Sequence, residues 1–415
     1  MSSSGASGPN KMRTWLTAVF VGLGSLLFFL SWLSYPPETI FDEAQYTDAA
    51  RALLTGARDP SPYGPPLGKL LVACSMRLLG DNPLGWRMAS AVFGAVTLVG
   101  VFLFTKLLLN DYALALTAVV ITLLNNFLYV FSRTAMVDIF LFGFALWGIL
   151  TFAVALKIEP FGAYKRRGLL ALSGVLLGLA CACKWNGVDE LCVLAIICAA
   201  LLFLSGKSNN QEIIACNAHL RGAGTGWLVV SFLGLPVLAY LATFWPLCRM
   251  LHLPFSASQL VQMNVFIWHF HRTVAGNPTL ITRWYKWPLQ IEPTRALSYL
   301  VGNWYVMWAG LVAWLFCLGR FSRCLPETLV VLLYSVNLLQ WAATPQSCTF
   351  YYYYFPAAMF LGMAIPVALH RLPVRVHGVR LSVVIVLPAI CVFAYCFGRM
   401  ANLPAPYDCM LGCWP

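Results

Sequence analysis

The chain is a succession of apolar runs of roughly 18–25 residues, each bounded by a short polar or charged stretch. Taken from the N-terminus they fall at about 14–35, 85–108, 112–131, 134–156, 168–184, 188–205, 225–246, 296–318, 326–343, 353–370 and 379–399. The runs are continuous, not alternating, so they predict helices and speak against a β-barrel. The expected architecture is an all-α polytopic membrane protein with about eleven transmembrane helices. The first run is too long for a signal-peptide core and no clean cleavage site follows, so it reads as a retained membrane helix. Residues 1–12, rich in Ser and Gly, read as a disordered cytoplasmic tail; residues 13–400 read as the membrane domain, and 401–415 as a short periplasmic tail.

Composition agrees. Of the 415 residues, 60% are hydrophobic and 10% charged, against about 45–50% and 25% in soluble chains. That excludes a soluble enzyme, a disordered chain and a disulfide scaffold. The net charge of +12 would suggest nucleic acid in a soluble protein; here its distribution explains it better. With the N-terminus in the cytoplasm, the inner segments carry fourteen basic residues and four acidic ones, and the outer side thirteen and eleven. This is the positive-inside asymmetry, and no nucleic-acid partner is expected. An odd number of spans then places the C-terminus outside.

Fourteen cysteines are present, most of them within apolar runs, where a free thiol behaves as a small hydrophobe. Cys181 and Cys183 lack a second pair at zinc-ligand spacing, so no metal is expected. Cys409 and Cys413 could pair if they face an oxidising compartment. Gly174 and Gly178 form a GxxxG, read as helix packing. Lys207 and Ser208 imitate the end of a phosphate loop, but Leu201 stands where its first glycine is required.

Two outer segments, about 36–84 and 247–295, are too long to be connectors, and both fall on one side of the membrane. The first opens with Asp42 and Glu43, followed by Tyr46, Ala49, Ala50, Leu53 and Leu54 at helical spacing: a short interfacial helix. Adjacent residues do not share a helix face, so the two acids either cap that helix or divide between a reaction centre and a structural tie. Pro65-Pro66-Leu67-Gly68-Lys69 then fixes a turn before a second short apolar helix, and Trp86-Arg87 opens the next span. Arg133, Asp138 and Lys184-Trp185 fall at the same face, where several half-buried cations beside carboxylates are more than snorkelling requires. The other long segment holds Trp268, His269, His271 and Arg272, then Arg283-Trp284-Tyr285-Lys286-Trp287-Pro288. Interfacial anchoring explains its aromatics; so does a phosphosugar, since guanidinium forks onto phosphate and rings pack on sugar faces. The two histidines lack a third metal ligand. Tyr351 to Tyr354 read first as an aromatic belt, with sugar or lipid contact second.

These motifs in this order resemble the protein O-mannosyltransferases of the bacterial kind, membrane glycosyltransferases that use lipid-phosphate sugars; the resemblance runs from about residue 36 to about 370. It implies that Asp42, with Glu43 beside it, is the catalytic site, Asp42 as the base. It implies a role for Arg87 as well; from their charge, aromatic character and place at the outer face, Lys69, Arg87, Arg133, Asp138, Lys184, Arg283, Trp284 and Trp287 are expected to hold the substrate. One departure is Gly64, where the family usually has His before the Pro-Pro turn. The implied reaction is inverting transfer of mannose from a polyprenyl-phosphate carrier to Ser or Thr hydroxyls of secreted or membrane proteins at the outer face. The implied partners are that donor, the acceptor protein and the lipid bilayer, with no cofactor. A lipid or glycan acceptor, or another sugar, fits the same chemistry. A non-enzymatic transporter of lipid-linked sugars would place charges in mid-span, and here they gather at one face.

Overall fold

A computed structural model describes residues 8–157, 162–204, 210–274, 281–290, 302–344, 348–372, 375–376 and 379–400. Helix α1 spans Gly8–Leu30. It therefore begins inside the stretch read as a tail; residues 1–7 and the 401–415 tail with Cys409 and Cys413 lie outside the described residues. The first outer segment folds into two short helices, α2 (Glu43–Thr55) and α3 (Leu67–Leu79). In α2 the buried positions include Ala49, Ala50 and Leu53, as the spacing predicts, and α3 buries Val72, Ala73 and Met76 while leaving Leu78 exposed. Gly68 sits so close to Val137 that an added Cβ would overlap its side chain.

Helix α4 (Pro83–Leu109) starts sharply because the Asn82 side chain accepts the Gly85 N–H at 3.0 Å and Pro83 needs no partner for its nitrogen. It packs against α1, α3 and the two helices that follow it most closely in space, α5 (Tyr112–Leu123) and, beyond the short α6 (Asn126–Phe131), α7 (Asp138–Lys157). The run read as one span over 112–131 is thus two helices: the Asn125 side chain caps Phe127 N–H and restarts the chain in a new direction. Helix α8 (Ala163–Cys183) lies along α7 and ends at Lys184, whose backbone is extended. A single tight turn at Trp185–Gly187 leads into α9 (Val188–Leu204).

A helix absent from the expected set, α10 (Gln211–Ala223), follows; it contains His219 and Arg221 and is too polar for a span. Then come α11 (Thr225–Val229), α12 (Leu235–Ala242) and α13 (Phe244–Met250), which run on as one apolar stretch, and α14 (Ala257–Thr273), capped by Ser256. The last group is α15 (Trp304–Leu318), α16 (Leu325–Ala343), α17 (Phe355–His370), α18 (Leu381–Val384) and α19 (Val386–Met400), with a two-residue antiparallel ladder at 375–380.

Among the described residues, eight helices are long and apolar enough to cross a membrane, and α5 and α15 are shorter apolar helices. The architecture is the expected all-α, multi-span one with short helices in its two long outer segments; the count of eleven is not reproduced by length and composition alone. α17 is buried almost throughout, whereas α1 is mostly exposed. In a bilayer that exposed apolar surface meets lipid.

The GxxxG of α8 brings two backbones together. A Cβ on Gly174 would overlap the Ser231 carbonyl, and one on Gly178 the Pro236 backbone. Gly168, on the same helix, has open space around it. Gly174→Ala should lower the thermal unfolding midpoint of the detergent-purified protein, at a cost of about 1–3 kcal/mol, while Gly168→Ala leaves it unchanged or slightly raised. Equal midpoints for the two variants would contradict this packing.

Candidate active site

The chain enters α2 through Phe41, whose φ of +53° is costly for an aromatic residue. That twist sends the next two side chains to opposite environments. Glu43 turns inward and is fully buried. Its Oε1 accepts from Arg87 Nε at 2.9 Å and from Ala135 N–H at 2.9 Å; its Oε2 accepts from Arg87 Nη2 at 2.8 Å and from Ile40 N–H at 3.1 Å. Arg87, 0% exposed, completes its set on the carbonyls of Leu33, Pro36 and Glu38. All five of its N–H donors are engaged.

Asp42 turns outward into a cavity of about 260 Å³. It stands at the N-cap position, yet its side chain makes no capping bond. Instead Oδ2 accepts from the Tyr352 hydroxyl at 3.0 Å, and Oδ1 faces the Gln45 amide at 3.3 Å. Burial raises the Asp42 pKa; the Tyr352 hydrogen bond and the positive charge of Lys184 oppose that rise, and Asp138 adds to it. Lys184 leaves the end of α8 to reach Asp138 Oδ1 at 2.8 Å, and its ammonium lies 4.3 Å from the centre of the Tyr353 ring and 5.3 Å from that of Tyr352. With a side chain 21% exposed, Lys184 is the more accessible of the two lysines on the cavity wall. The other, Lys69, is held at 2.7 Å by Asp59 and at 2.8 Å by the Ser61 carbonyl; burial pulls its pKa down.

The second outer segment closes the cavity from another side. Phe270, in the last turn of α14, stacks on Tyr63 with ring centres 4.3 Å apart. His271 beside it lines the cavity, its pKa lowered by burial and then by Lys184. Further on, Thr282 N–H donates to the Thr349 carbonyl at 2.9 Å, the Thr349 hydroxyl donates to the Thr282 carbonyl at 2.6 Å, and Ile281 bridges Phe350. Trp287, 1% exposed, donates its indole N–H to the Thr282 hydroxyl at 2.8 Å and packs on Trp341 and Tyr354.

Of the residues expected to be catalytic or to hold substrate, Asp42, Lys69 and Lys184 line one cavity, and Asp138 joins them through Lys184. The rest are placed elsewhere. Glu43 and Arg87 form a saturated internal tie, so neither has an atom left for substrate. Arg133 donates to the carbonyls of Phe29, Ser31 and Trp32 and to the Tyr129 hydroxyl. It thereby caps the C-terminal end of α1, where a cation is favoured. Arg283 is exposed and donates to the Tyr285 hydroxyl at 2.9 Å; Trp284 is half-buried; Trp287 is core; none lines the cavity. The sequence reading undervalued Tyr352 and Tyr353, taken as a belt, and His271, weighed only as a metal ligand. The signal available was four consecutive tyrosines at the outer mouth of a span. Among the described residues, no three His, Cys, Asp or Glu side chains gather as a metal site would need.

Removing one partner of a buried pair strands the other's charge. Arg87→Ala should therefore cost about 3–5 kcal/mol, seen as a large fall in the unfolding midpoint or failure to accumulate in the membrane. A well-folded Arg87→Ala protein whose defect is confined to donor saturation would return Arg87 to phosphate binding.

A family model described as dolichyl-phosphate-mannose-protein mannosyltransferase matches residues 80–252. The polyprenol-phosphate-mannose–protein mannosyltransferase of Mycolicibacterium smegmatis is 31% identical over 209 residues, covering 44% of this chain and 40% of that protein. The match thus spans well under half of the relative's length. In structure, the chain is similar to the S. cerevisiae protein O-mannosyltransferase Pmt1-Pmt2 complex bound to the sugar donor. The TM-score is 0.76 at 12% identity, over 94% of this chain and 90% of that one. It is also similar to ArnT from Cupriavidus metallidurans bound to undecaprenyl phosphate, with a TM-score of 0.63 at 15% identity over 94% and 66% of the two chains. The chain has the fold of the multi-span membrane glycosyltransferases; the matched stretch of sequence holds Trp86-Arg87, Arg133, Asp138 and Lys184-Trp185, and lies between the acidic pair and the Arg283–Pro288 motif.

Proposed function

We propose that this protein transfers mannose from a polyprenyl-phosphate carrier to Ser or Thr hydroxyls of secreted or membrane proteins, with inversion at the anomeric carbon. The observation that carries the reading is the division of labour in the acidic pair. Glu43 is locked to Arg87, while Asp42 faces an aromatic-walled cavity that also holds the ammonium of Lys184.

That arrangement suits one reaction class. A phosphate leaves readily once its charge is met, and needs no general acid. A hydroxyl nucleophile does need a base. One carboxylate is therefore enough, in contrast to the pair used in glycoside hydrolysis. Asp42 takes the acceptor proton as the hydroxyl oxygen bonds to the anomeric carbon; the carbon–oxygen bond to the carrier phosphate breaks, and its electron pair leaves on the phosphate. Lys184, in the wall beside Asp42, meets the developing charge in place of the arginines first considered. Tyr46, Tyr63 and Trp185 line the same cavity and supply apolar surface for the sugar. The positive-inside asymmetry supports a site on the extracytoplasmic side of the cell membrane and an N-terminus in the cytoplasm; a C-terminus outside follows only with an odd number of spans. A transporter of lipid-linked sugars would place such charges in mid-span, whereas Asp42 stands at the start of α2 and Lys184 just past the end of α8.

Asp42→Asn should abolish transfer from polyprenyl-phosphate mannose to a Ser/Thr peptide, by at least about 100-fold. It should do so without loss of fold. A raised carboxyl pKa means that the folded state keeps its proton where the unfolded chain has released it, so above both values the charge costs stability. Asparagine removes that cost and still accepts from Tyr352, so the unfolding midpoint at neutral pH should stay level or rise. For the same reason the acidic limb of the rate profile should lie above the ordinary Asp value of 3.8. Near-normal transfer by this variant would remove Asp42 from the base role. Lys184→Gln should raise KM for the donor and leave that for the peptide nearly level; the reverse pattern would move the carrier phosphate elsewhere.

A further inference from the structure

Asp42 has a problem that its neighbour Glu43 does not. A base must be ionised to accept a proton, and burial favours its protonated form. The arginine solution adopted for Glu43 holds the charge but occupies every lone pair. A base held that way could do nothing.

We propose that Tyr352 is the positioning residue for Asp42, and that the second outer segment acts on the reaction by fixing Tyr352. This rests on the reading of Asp42 as the base. The hydroxyl of Tyr352 donates to one oxygen only, Oδ2, at 3.0 Å. A neutral donor favours the ionised carboxylate and fixes its rotation without neutralising it. Oδ1, with only the long contact to Gln45, remains for an incoming hydroxyl. The other groups that face Asp42 cannot substitute. Lys184 acts on Asp42 through its charge alone, Asp138 repels the charge, and Lys184, Tyr46, Tyr63 and Tyr353 make no hydrogen bond to Asp42 among the described residues.

The ring of Tyr352 is held on several sides. Phe41 meets it edge-on at 5.1 Å, Phe350 lies parallel at 5.7 Å, and Tyr353 stands across it at 4.6 Å. Behind these, the paired hydrogen bonds of Thr282 with Thr349 and the Ile281–Phe350 bridge strap the start of the tyrosine turn. Trp287 clamps the strap, bonded to Thr282 and wedged against Tyr354. The Arg283–Pro288 motif thus acts at a distance, through Trp287, on the orientation of the base.

The test uses the full-length protein in detergent, with polyprenyl-phosphate mannose and a Ser/Thr peptide, and follows kcat/KM against pH. For Tyr352→Phe the acidic limb should move to higher pH, with kcat/KM about tenfold lower on the acidic side and a gap that narrows as pH rises. Replacing Tyr352 by 3-fluorotyrosine keeps the shape and makes the hydroxyl a stronger donor; the limb should then move to lower pH. A purely structural tyrosine would move neither limb. A loss equal at every pH in Tyr352→Phe, or an unmoved limb in the fluorotyrosine protein, overturns the proposal. If Tyr352→Phe does not fold, the fluorotyrosine protein decides alone. Asp42→Asn, assayed alongside, separates the two ideas. Activity in that variant defeats the base reading itself; inactivity together with unmoved tyrosine profiles defeats only the role of Tyr352.

Discussion

The saturated contact between Arg87 and Glu43 organises the outer half of this molecule. One guanidinium, carried on the first turn of α4, gathers three carbonyls from the segment that leaves α1 and the carboxylate that opens α2. The same carboxylate reaches across to Ala135, just ahead of α7. Three separate stretches of chain are thus tied at a point sealed from water, where each unmade bond would cost more than it would at the surface. Arg133 does similar work one step away, on the carbonyls at the end of α1. The geometry of the cavity is downstream of these two arginines.

Against that rigid background, the contrast between adjacent acids becomes intelligible. Burial acts on both. Glu43 meets it with a full shell of donors and becomes part of the scaffold. Asp42 meets it with a single hydroxyl bond and a lysine in the same wall, which leaves its charge costly and its second oxygen available. One acid is left incompletely satisfied beside a neighbour that is completely satisfied. The wall of aromatic side chains adds a low-dielectric surround in which the Lys184 ammonium has more effect than it would in water.

Much of this was legible beforehand, and the limits were physical. Helical spacing of Ala49, Ala50 and Leu53 identified α2, and its buried face is the one the spacing implies. The Pro-Pro turn and the short apolar stretch after it gave α3. The break at Asn125, by contrast, is easily missed by hydrophobicity, because only the pair Asn125-Asn126 interrupts flanks that stay apolar. Cations near a boundary were all read as open to ligand. Sequence shows that a charge is present but not how many of its donors are already occupied: those of Arg87 and Arg133 are spent on backbone carbonyls and a carboxylate, whereas Lys184 lies in the cavity wall. Tyrosines in a row were read as an interface belt because nothing local distinguishes a ring facing lipid from one facing a carboxylate 310 positions earlier.

The chain alone determined that this protein is built of helices suited to a bilayer, and that charged and aromatic residues gather in two long segments between them. Those conclusions follow from periodicity, charge asymmetry and residue type, which are properties of short stretches. Only the tertiary structure decided which acid is held by arginine and which is open, which cations remain accessible, and which tyrosine meets the open acid. Those are outcomes of hydrogen-bond saturation between segments far apart in sequence, and saturation exists only once the chain has folded.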